Sequence, residues 1–237
     1  MISHARYFSQ LIVPVIGPQG QNKISAAKVL VIGAGGLGCP VLSYLAAMGI
    51  GHIGIAENDF VEMKNLHRQI LYCEADIGKL KVEVAFKKLQ DQNSEIKITT
   101  HPQKLTGKNA RQIIEGYDIV VDCCDNVETR YIVDRHTKEL GKPFVYGAVR
   151  QMEGQLSVFN YNDGPCYRHL FPDEKMAAAE LDCAAAGIIG YVTGLVGCLQ
   201  VNEVLKIILG DAHVLTGEVL TIDLRNLQFR KFKIMRY

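Results

Sequence analysis

The chain has 237 residues, with 26 Lys and Arg against 25 Asp and Glu, a formal net charge of +1 and 48% hydrophobic residues. These values exclude a disordered chain and disfavour nucleic-acid binding driven by bulk charge. A chain of this length buries a full core in one large α/β domain, or in one domain with a smaller lobe.

Lys28–Ile32 is a short apolar run rich in β-branched residues, the pattern of a buried parallel strand. A glycine turn, Gly33-Ala-Gly-Gly-Leu-Gly38, follows it. Cys39 to Met48 then predicts a helix, with Pro40 tolerated in its first turn and Gly49 as its stop. His52 to Ala56 predicts a second strand. Lys79 to Gln92 is an amphipathic helix with Val82, Ala85, Phe86 and Leu89 on one face. Strands at Ile96 to Thr100, Tyr117 to Asp122, Pro143 to Tyr146 and Gly154 to Tyr161 alternate with helices at Ala110 to Glu115 and Val127 to Leu140. That alternation predicts an α/β fold with a Rossmann-like, mainly parallel sheet.

The last third changes character. Asn160 to Ala186 is polar and turn-rich around Asp163-Gly164-Pro165. A glycine-bearing helix is expected over Ala186 to Leu209. Its uncharged run, Ala184 to Asn202, is long enough to raise a membrane question. Thr193, Gln200, Asn202 and its glycines favour a buried helix over a membrane span. Gly187, Gly190, Gly194 and Gly197 share one helix face, which suggests close approach of another backbone, either the sheet or a twin subunit. Strands at Glu218 to Leu224 and Gln228 to Met235 close the chain as an antiparallel continuation, the last one with a solvent-facing edge pattern.

The seven cysteines, at 39, 73, 123, 124, 166, 183 and 198, are odd in number. Met1 to Gln10 has no apolar signal core. Together these favour reduced thiols in the cytoplasm.

Gly33, Gly35 and Gly38 form G-x-G-x-x-G between a strand and a helix, where the motif has physical meaning. The glycines allow a tight turn and close backbone approach to phosphate, and the helix N-terminus offers free N–H groups. Glu57 closes the second strand, where an acid holds ribose hydroxyls. By itself the motif favours a dinucleotide, so an NAD-dependent dehydrogenase is a rival reading. Arg68 and Lys81 lie beyond the second strand and argue against it, because a triphosphate needs two cations and a divalent metal more than a nicotinamide dinucleotide does. Asp125 follows a buried strand and points to Mg²⁺. Taken singly, Arg68 reads as a surface ion pair, Lys81 as a solvated helix face and Asp125 as a helix N-cap. Their joint occurrence beside a glycine turn favours a nucleotide site.

With these residues in place, the chain resembles the ThiF/MoeB/HesA family, bacterial relatives of ubiquitin-activating enzymes. The matching segments are Arg6-Tyr7, the glycine turn, Asn65-Leu-His-Arg-Gln69, Gly78 with Lys81-Val82, Asp122-Cys-Cys-Asp-Asn126, Gly154-Gln155, Pro165-Cys-Tyr-Arg168, Cys183-Ala-Ala-Ala-Gly187 and the helix through Gln200 and Glu203. They run through nearly the whole chain. The resemblance implies one adenylation domain, which opens on a helical arm over residues 1–27. Its nucleotide-binding half is 28–150 and its carrier-binding and crossover half is 151–237. It implies ATP- and Mg²⁺-dependent adenylation of the C-terminal Gly-Gly carboxylate of a ubiquitin-like sulfur carrier, in thiamine, molybdopterin or a related synthesis. Adenylation of a peptide C-terminus or of a modified tRNA base is the alternative that keeps the fold.

By the same resemblance, the nucleotide set is Gly33, Gly35, Gly36, Gly38, Glu57, Asp59, Asn65, Arg68, Gln69 and Lys81. Arg68, Lys81 and Asp125 take the catalytic places, with the metal on Asp125. Cys183 takes the place of a cysteine that some relatives link covalently to the carrier, and Phe171 to Leu181 has the character of a mobile crossover segment. A homodimer and a separate sulfur donor are also implied, without a membrane or nucleic-acid partner. Departures are specific. Glu57 stands where the family has Asp, and Ser9 replaces an arginine that reaches the partner subunit's ATP. Cys166-Tyr-Arg-His169 replaces a Cys-x-x-Cys pair, so no structural zinc is expected. Of the other cysteines, five are expected to be packing residues.

Overall fold

The computed structural model describes residues 5–173 and 187–235. Helices α1 (Phe8–Leu11) and α2 (Gly17–Ala26) form the arm. They lead into β1 (Lys28–Ile32), α3 (Gly38–Met48) and β2 (His52–Ala56). Two 3₁₀ turns, Met63–Asn65 and Glu74–Asp76, precede α4 (Lys81–Gln92). Next come β3 (Lys97–His101), α5 (Ala110–Glu115), β4 (Ile119–Asp122) and α6 (Val127–Glu139). The second half holds β5 (Phe144–Arg150), β6 (Glu153–Phe159), α7 (Tyr167–Leu170), α8 (Gly190–Leu209), β7 (Glu218–Asp223) and β8 (Gln228–Lys233).

All strands join one eight-stranded sheet in the order β3-β2-β1-β4-β5-β6-β7-β8. β3 to β5 pair in parallel, and β5 to β8 pair antiparallel. The predicted α/β class therefore holds, including the antiparallel continuation. The apolar run of β1 supplies both faces by simple alternation. Val29 and Val31 enter the core under α3, α4 and α8, while Leu30 and Ile32 enter the core under α5 and α6. The second core is closed by an aromatic group that includes Phe144, Tyr146, Phe159, Tyr167 and Phe171. Gly49, at φ 86°, ends α3 in the left-handed conformation expected of a C-terminal glycine.

Several sequence expectations shift. β5 runs on from Tyr146 to Arg150 and turns directly into β6 through Gln151 and Met152, with Gln151 at φ 54°. On α4, Val84 is buried and Phe86 is exposed, because the helix rolls its inward face towards α3 and β3. The long apolar helix starts at Gly190, since Ile189 is extended and Gly187 is left-handed. α8 is long and apolar enough, by length and composition, to cross a membrane. Here it packs on α3, β5 and β6.

Its glycine face resolves into distinct positions. A Cβ at Gly197 would sit 2.7 Å from Pro40, and one at Gly190 would sit 2.4 Å from the His67 carbonyl, whereas one at Gly194 would meet nothing within 4 Å among the described residues. Gly190 and Gly197 therefore serve packing within the chain. Among the expected packing cysteines, Cys39, Cys123 and Cys124 are buried, but Cys73 and Cys198 are exposed. Cys73 lies in an irregular segment, and Cys198 occupies an outward position on α8.

Candidate functional site

The chain enters the sheet at β1, moves outward through β2 and β3, then returns to β4 on the other side of β1. The gap beyond the carboxyl ends of β1 and β4 is the switch point where α/β sheets bind ligands. A cleft of about 360 Å³ opens there. Its lining includes Gly33, Gly35 and Gly36 from the turn, Glu57 and Asp59 from the end of β2, Arg68 and Gln69, Lys81 at the start of α4, and Asp125 from the end of β4.

The glycine turn is shaped by steric necessity. Gly33 has φ 92°, and a Cβ there would lie 2.6 Å from the Cys123 carbonyl. A Cβ at Gly38 would lie 2.1 Å from the Gly33 carbonyl, so Gly38 supports the turn and does not line the cleft. No side chain caps the N-terminus of α3, which leaves that first turn able to receive an anion. The Tyr72 hydroxyl fixes the turn from behind by donating to the Ala34 carbonyl at 2.8 Å.

Glu57 is folded against backbone amides. One oxygen accepts from Ala34 at 2.9 Å, and the other from Asn58 at 2.7 Å and Asp59 at 2.9 Å. The carboxylate thus ties the end of β2 to the glycine turn. Lys81 is 3% exposed, so it is not a solvated helix residue, and its ammonium meets Asp59 Oδ2 at 3.2 Å. Arg68 is half-buried and has no carboxylate within ion-pair distance among the described residues. It donates to Asn65 Oδ1 at 2.9 Å and contacts His67 Nε2 at 2.8 Å, which orients its fork without neutralising it. Asn65 is therefore a support for Arg68 and not part of the lining. Gln69 is 4% exposed and its Oε1 has no partner among the described residues, leaving hydrogen-bond capacity in the cleft.

Asp125 is exposed in the cleft, with no hydrogen bond or ion pair among the described residues. The N-cap of α6 is its neighbour Asn126, whose side chain accepts from the Thr129 amide at 2.9 Å. This leaves the Asp125 carboxylate available to a ligand. A hard oxygen donor such as this carboxylate is of the type that Mg²⁺ takes when its other ligands are waters and a ligand's phosphate oxygens.

Beyond the expected nucleotide and catalytic set, Asp122 and Gln200 stand in the family-matching segments without a role assigned to them, and Arg130, Gln103, Lys104, Leu105 and Thr193 are missing from the site expected from the sequence. Arg130, 2% exposed, pairs with fully buried Asp122 at 3.0 Å and donates to the carbonyls of Cys124 and Gly147. Burial pushes the Asp122 carboxyl up, and the guanidinium beside it works against that rise. Gln200 of α8 reaches the same strand end, donating to the Asp122 carbonyl at 2.6 Å. This buried frame holds the backbone from which Asp125 projects. Gln103, Lys104 and Leu105, after β3, line the cleft. Their place at a strand's carboxyl end was available as a signal. Thr193 packs about the glycine turn, 3.1 Å from a Cβ built on Gly36, and nothing in the linear pattern announces that contact.

Cys183 and most of the expected crossover segment lie outside the described residues. Cys166 and His169 do come together, with Sγ 3.0 Å from Nδ1 and the Cys166 amide donating to the same nitrogen at 3.0 Å.

A glycine turn at a sheet's switch point, with Arg68, Lys81 and the unpaired Asp125 carboxylate in one cleft, is the arrangement of a candidate nucleotide site in an α/β protein. The chain belongs to the ThiF family, with residues 7–237 matched. It is 49% identical over 230 residues to the Culex quinquefasciatus adenylyltransferase and sulfurtransferase MOCS3, covering 97% of this chain and 52% of that one. It is 45% identical over 236 residues to the Thermus thermophilus sulfur carrier protein adenylyltransferase, covering 98% of this chain and 87% of that one. The chain thus spans about half the length of the MOCS3 relatives. Among solved structures, E. coli MccB with ATP superposes with a TM-score of 0.83 at 24% identity, over 98% of this chain and 71% of that one. E. coli MccB with MccA-N7isoASN gives 0.86 at 22%, over 99% and 73%. These structural likenesses establish the fold.

Proposed function

We propose that the protein is an ATP-dependent adenylyltransferase acting on the C-terminal carboxylate of a ubiquitin-like sulfur carrier. The observation that carries this reading is the convergence of Arg68, Lys81 and the unpaired Asp125 carboxylate on the glycine turn. The activities for which its MOCS3 and T. thermophilus relatives are named support the same reading.

The chemistry joins an anion to a polyanion. A carrier carboxylate oxygen attacks the α-phosphorus of ATP, a new O–P bond forms, and the bond to the β-phosphate oxygen breaks. Pyrophosphate leaves with that electron pair, and the carrier carries an acyl-adenylate. Amides of the glycine turn hold phosphate oxygens, and Glu57 faces the ribose. Arg68 and Lys81 offset the repulsion and stabilise the leaving pyrophosphate. Lys81 enters the reaction already desolvated, with Asp59 as its resting partner, so nucleotide phosphate replaces one anionic contact by another. Asp125 would hold Mg²⁺, which would supply further charge neutralisation on the phosphates.

No histidine lines the cleft among the described residues, which weighs against hydride transfer with a nicotinamide cofactor. The homodimer is a further proposal, supported by the open Gly194 position and by exposed Ile189 and Tyr191 beside it. Pyrophosphate exchange into ATP, dependent on a carrier ending in Gly-Gly, tests the reading. Nucleotide binding without exchange across candidate carriers would count against it.

A further inference from the structure

We propose that Lys88 is a positioning residue for the phosphate end of the cleft, stapling the segment between Arg68 and Lys81 to the body of α4. The proposal rests on the reading of those two cations as phosphate contacts. The segment is anchored unevenly: Tyr72 is buried in the core with Leu71 and Leu80 packed against it, whereas Ile70 is 71% exposed and Ile77 is 42% exposed. The Tyr72 hydroxyl also holds the glycine turn, and Gly78 donates to the Val61 carbonyl at 2.9 Å.

The middle is held by Lys88. Its ammonium donates to the Leu71 carbonyl at 2.8 Å and to Asp76 Oδ2 at 2.5 Å. Asp76 in turn closes the 3₁₀ turn by accepting from the Cys73 amide at 3.1 Å. Its side chain is 10% exposed, so the pair works in partly excluded solvent, unlike the outer Lys79 contact at 3.5 Å, where the lysine is 56% exposed. The Lys88 hydrogen bond holds the Asp76 carboxyl well below the usual carboxylate range.

Lys88 lies two helical turns beyond Lys81 on α4. One rigid helix therefore carries both the cleft lysine and the staple. Helix rigidity is converted into a fixed spacing between Lys81 and Arg68, which sits on an irregular stretch. Loss of the staple lets Arg68 and Gln69 wander relative to Lys81, and the effect falls on nucleotide binding first.

The test uses the full chain with Lys88→Met, Lys88→Arg and Asp76→Asn. Three readouts are Mg·ATP affinity by calorimetry, amide hydrogen exchange across the sheet and the 66–80 segment, and pyrophosphate-exchange kinetics. K88M is expected to weaken Mg·ATP binding and raise KM for ATP by about five- to tenfold, with kcat changed less than about twofold. Hydrogen exchange should rise over 66–80 and stay unchanged in β1 and β4. K88R should restore affinity, because a guanidinium still offers donors to Leu71 and Asp76, and D76N should fall between the two. Wild-type affinity and wild-type protection in K88M overturn the proposal, as does a uniform rise in exchange across the whole sheet. If the wild-type protein binds ATP but exchanges no pyrophosphate, the adenylation reading fails while the binding and hydrogen-exchange arms still decide the role of Lys88.

Discussion

Lys81, at the first residue of α4, is buried and meets the exposed carboxylate of Asp59 at 3.2 Å inside the cleft. A desolvated ammonium with one acidic partner is poised to accept a phosphate. Replacing it with Met removes a charge directed at the developing pyrophosphate and leaves Asp59 facing the nucleotide. Lys81→Met is expected to lower the pyrophosphate-exchange rate on the order of 10²- to 10³-fold. Steady-state exchange at saturating ATP measures it, and a K81M rate within a few-fold of wild type would remove Lys81 from the chemistry.

Asp125 is exposed and bonds to no described residue, so its contribution to stability is small. Asp125→Ala should shift unfolding free energy by less than about 0.5 kcal/mol. Activity should nonetheless be lost, and chelation of Mg²⁺ from wild-type protein should lower exchange in the same way. Denaturant melts alongside exchange assays check the pair of expectations. A strongly destabilised D125A would show that the carboxylate has a structural role instead.

Arg130 and Asp122 give the opposite pattern. Both are essentially excluded from solvent, and the guanidinium also serves two carbonyls. Arg130→Met leaves an unpaired buried carboxylate and should cost about 3–5 kcal/mol of stability. Chemical denaturation of R130M reports this directly, and an unchanged midpoint would contradict the frame assigned to the β4 end.

The sheet was legible because its strands are short apolar runs with a fixed alternation. β1 and β2 fall at their predicted residues, and the glycine turn falls where a strand meets a helix. Asp125 follows a strand whose carboxyl end must face the crevice, whereas the meeting of Arg68 and Lys81 in the same cleft depends on how the irregular chain after β2 folds back to α4. The ordinary alternative for Lys81 failed on burial, and that for Asp125 failed because Asn126 takes the cap. Arg130 and Thr193 were not legible. Their roles depend on how α6 and α8 cross the sheet ends, a tertiary fact with no local pattern. The glycine face of α8 was visible, but not that Gly190 and Gly197 face their own chain while Gly194 faces open space.

That difference within α8 gives a test. Gly194→Ala meets no atom of the described residues within 4 Å. It should stabilise the chain by up to about 1 kcal/mol through helix propensity. Gly197→Ala, with Pro40 and the Leu37 carbonyl in the way, should destabilise it. Thermal melts compare the two, and light scattering of G194A reports whether a second subunit covers that position.

Stability should also depend on pH through the edge of the sheet. His52 bonds to Thr99 and His101 to Tyr117, both at 2.9 Å, and burial lowers both imidazoles below their ordinary value of 6.5. The unfolded chain therefore binds more protons in the window below 6.5. Stability from this source is fully present above that value and is lost as pH falls through the folded-state values. Melting midpoints at stepped pH should show the decline, and His101→Gln should flatten it. An H101Q profile with the wild-type slope would contradict the assignment.

The central claim is that the cleft adenylates a carrier's C-terminus. The most direct measurement is exchange of radiolabelled pyrophosphate into ATP by the full chain, with Mg²⁺ and a panel of ubiquitin-like carriers ending in Gly-Gly. The account predicts exchange with at least one carrier, lost when the carrier's final glycine is removed and lost in D125A. Exchange with no carrier, under conditions where the protein binds Mg·ATP, would contradict it.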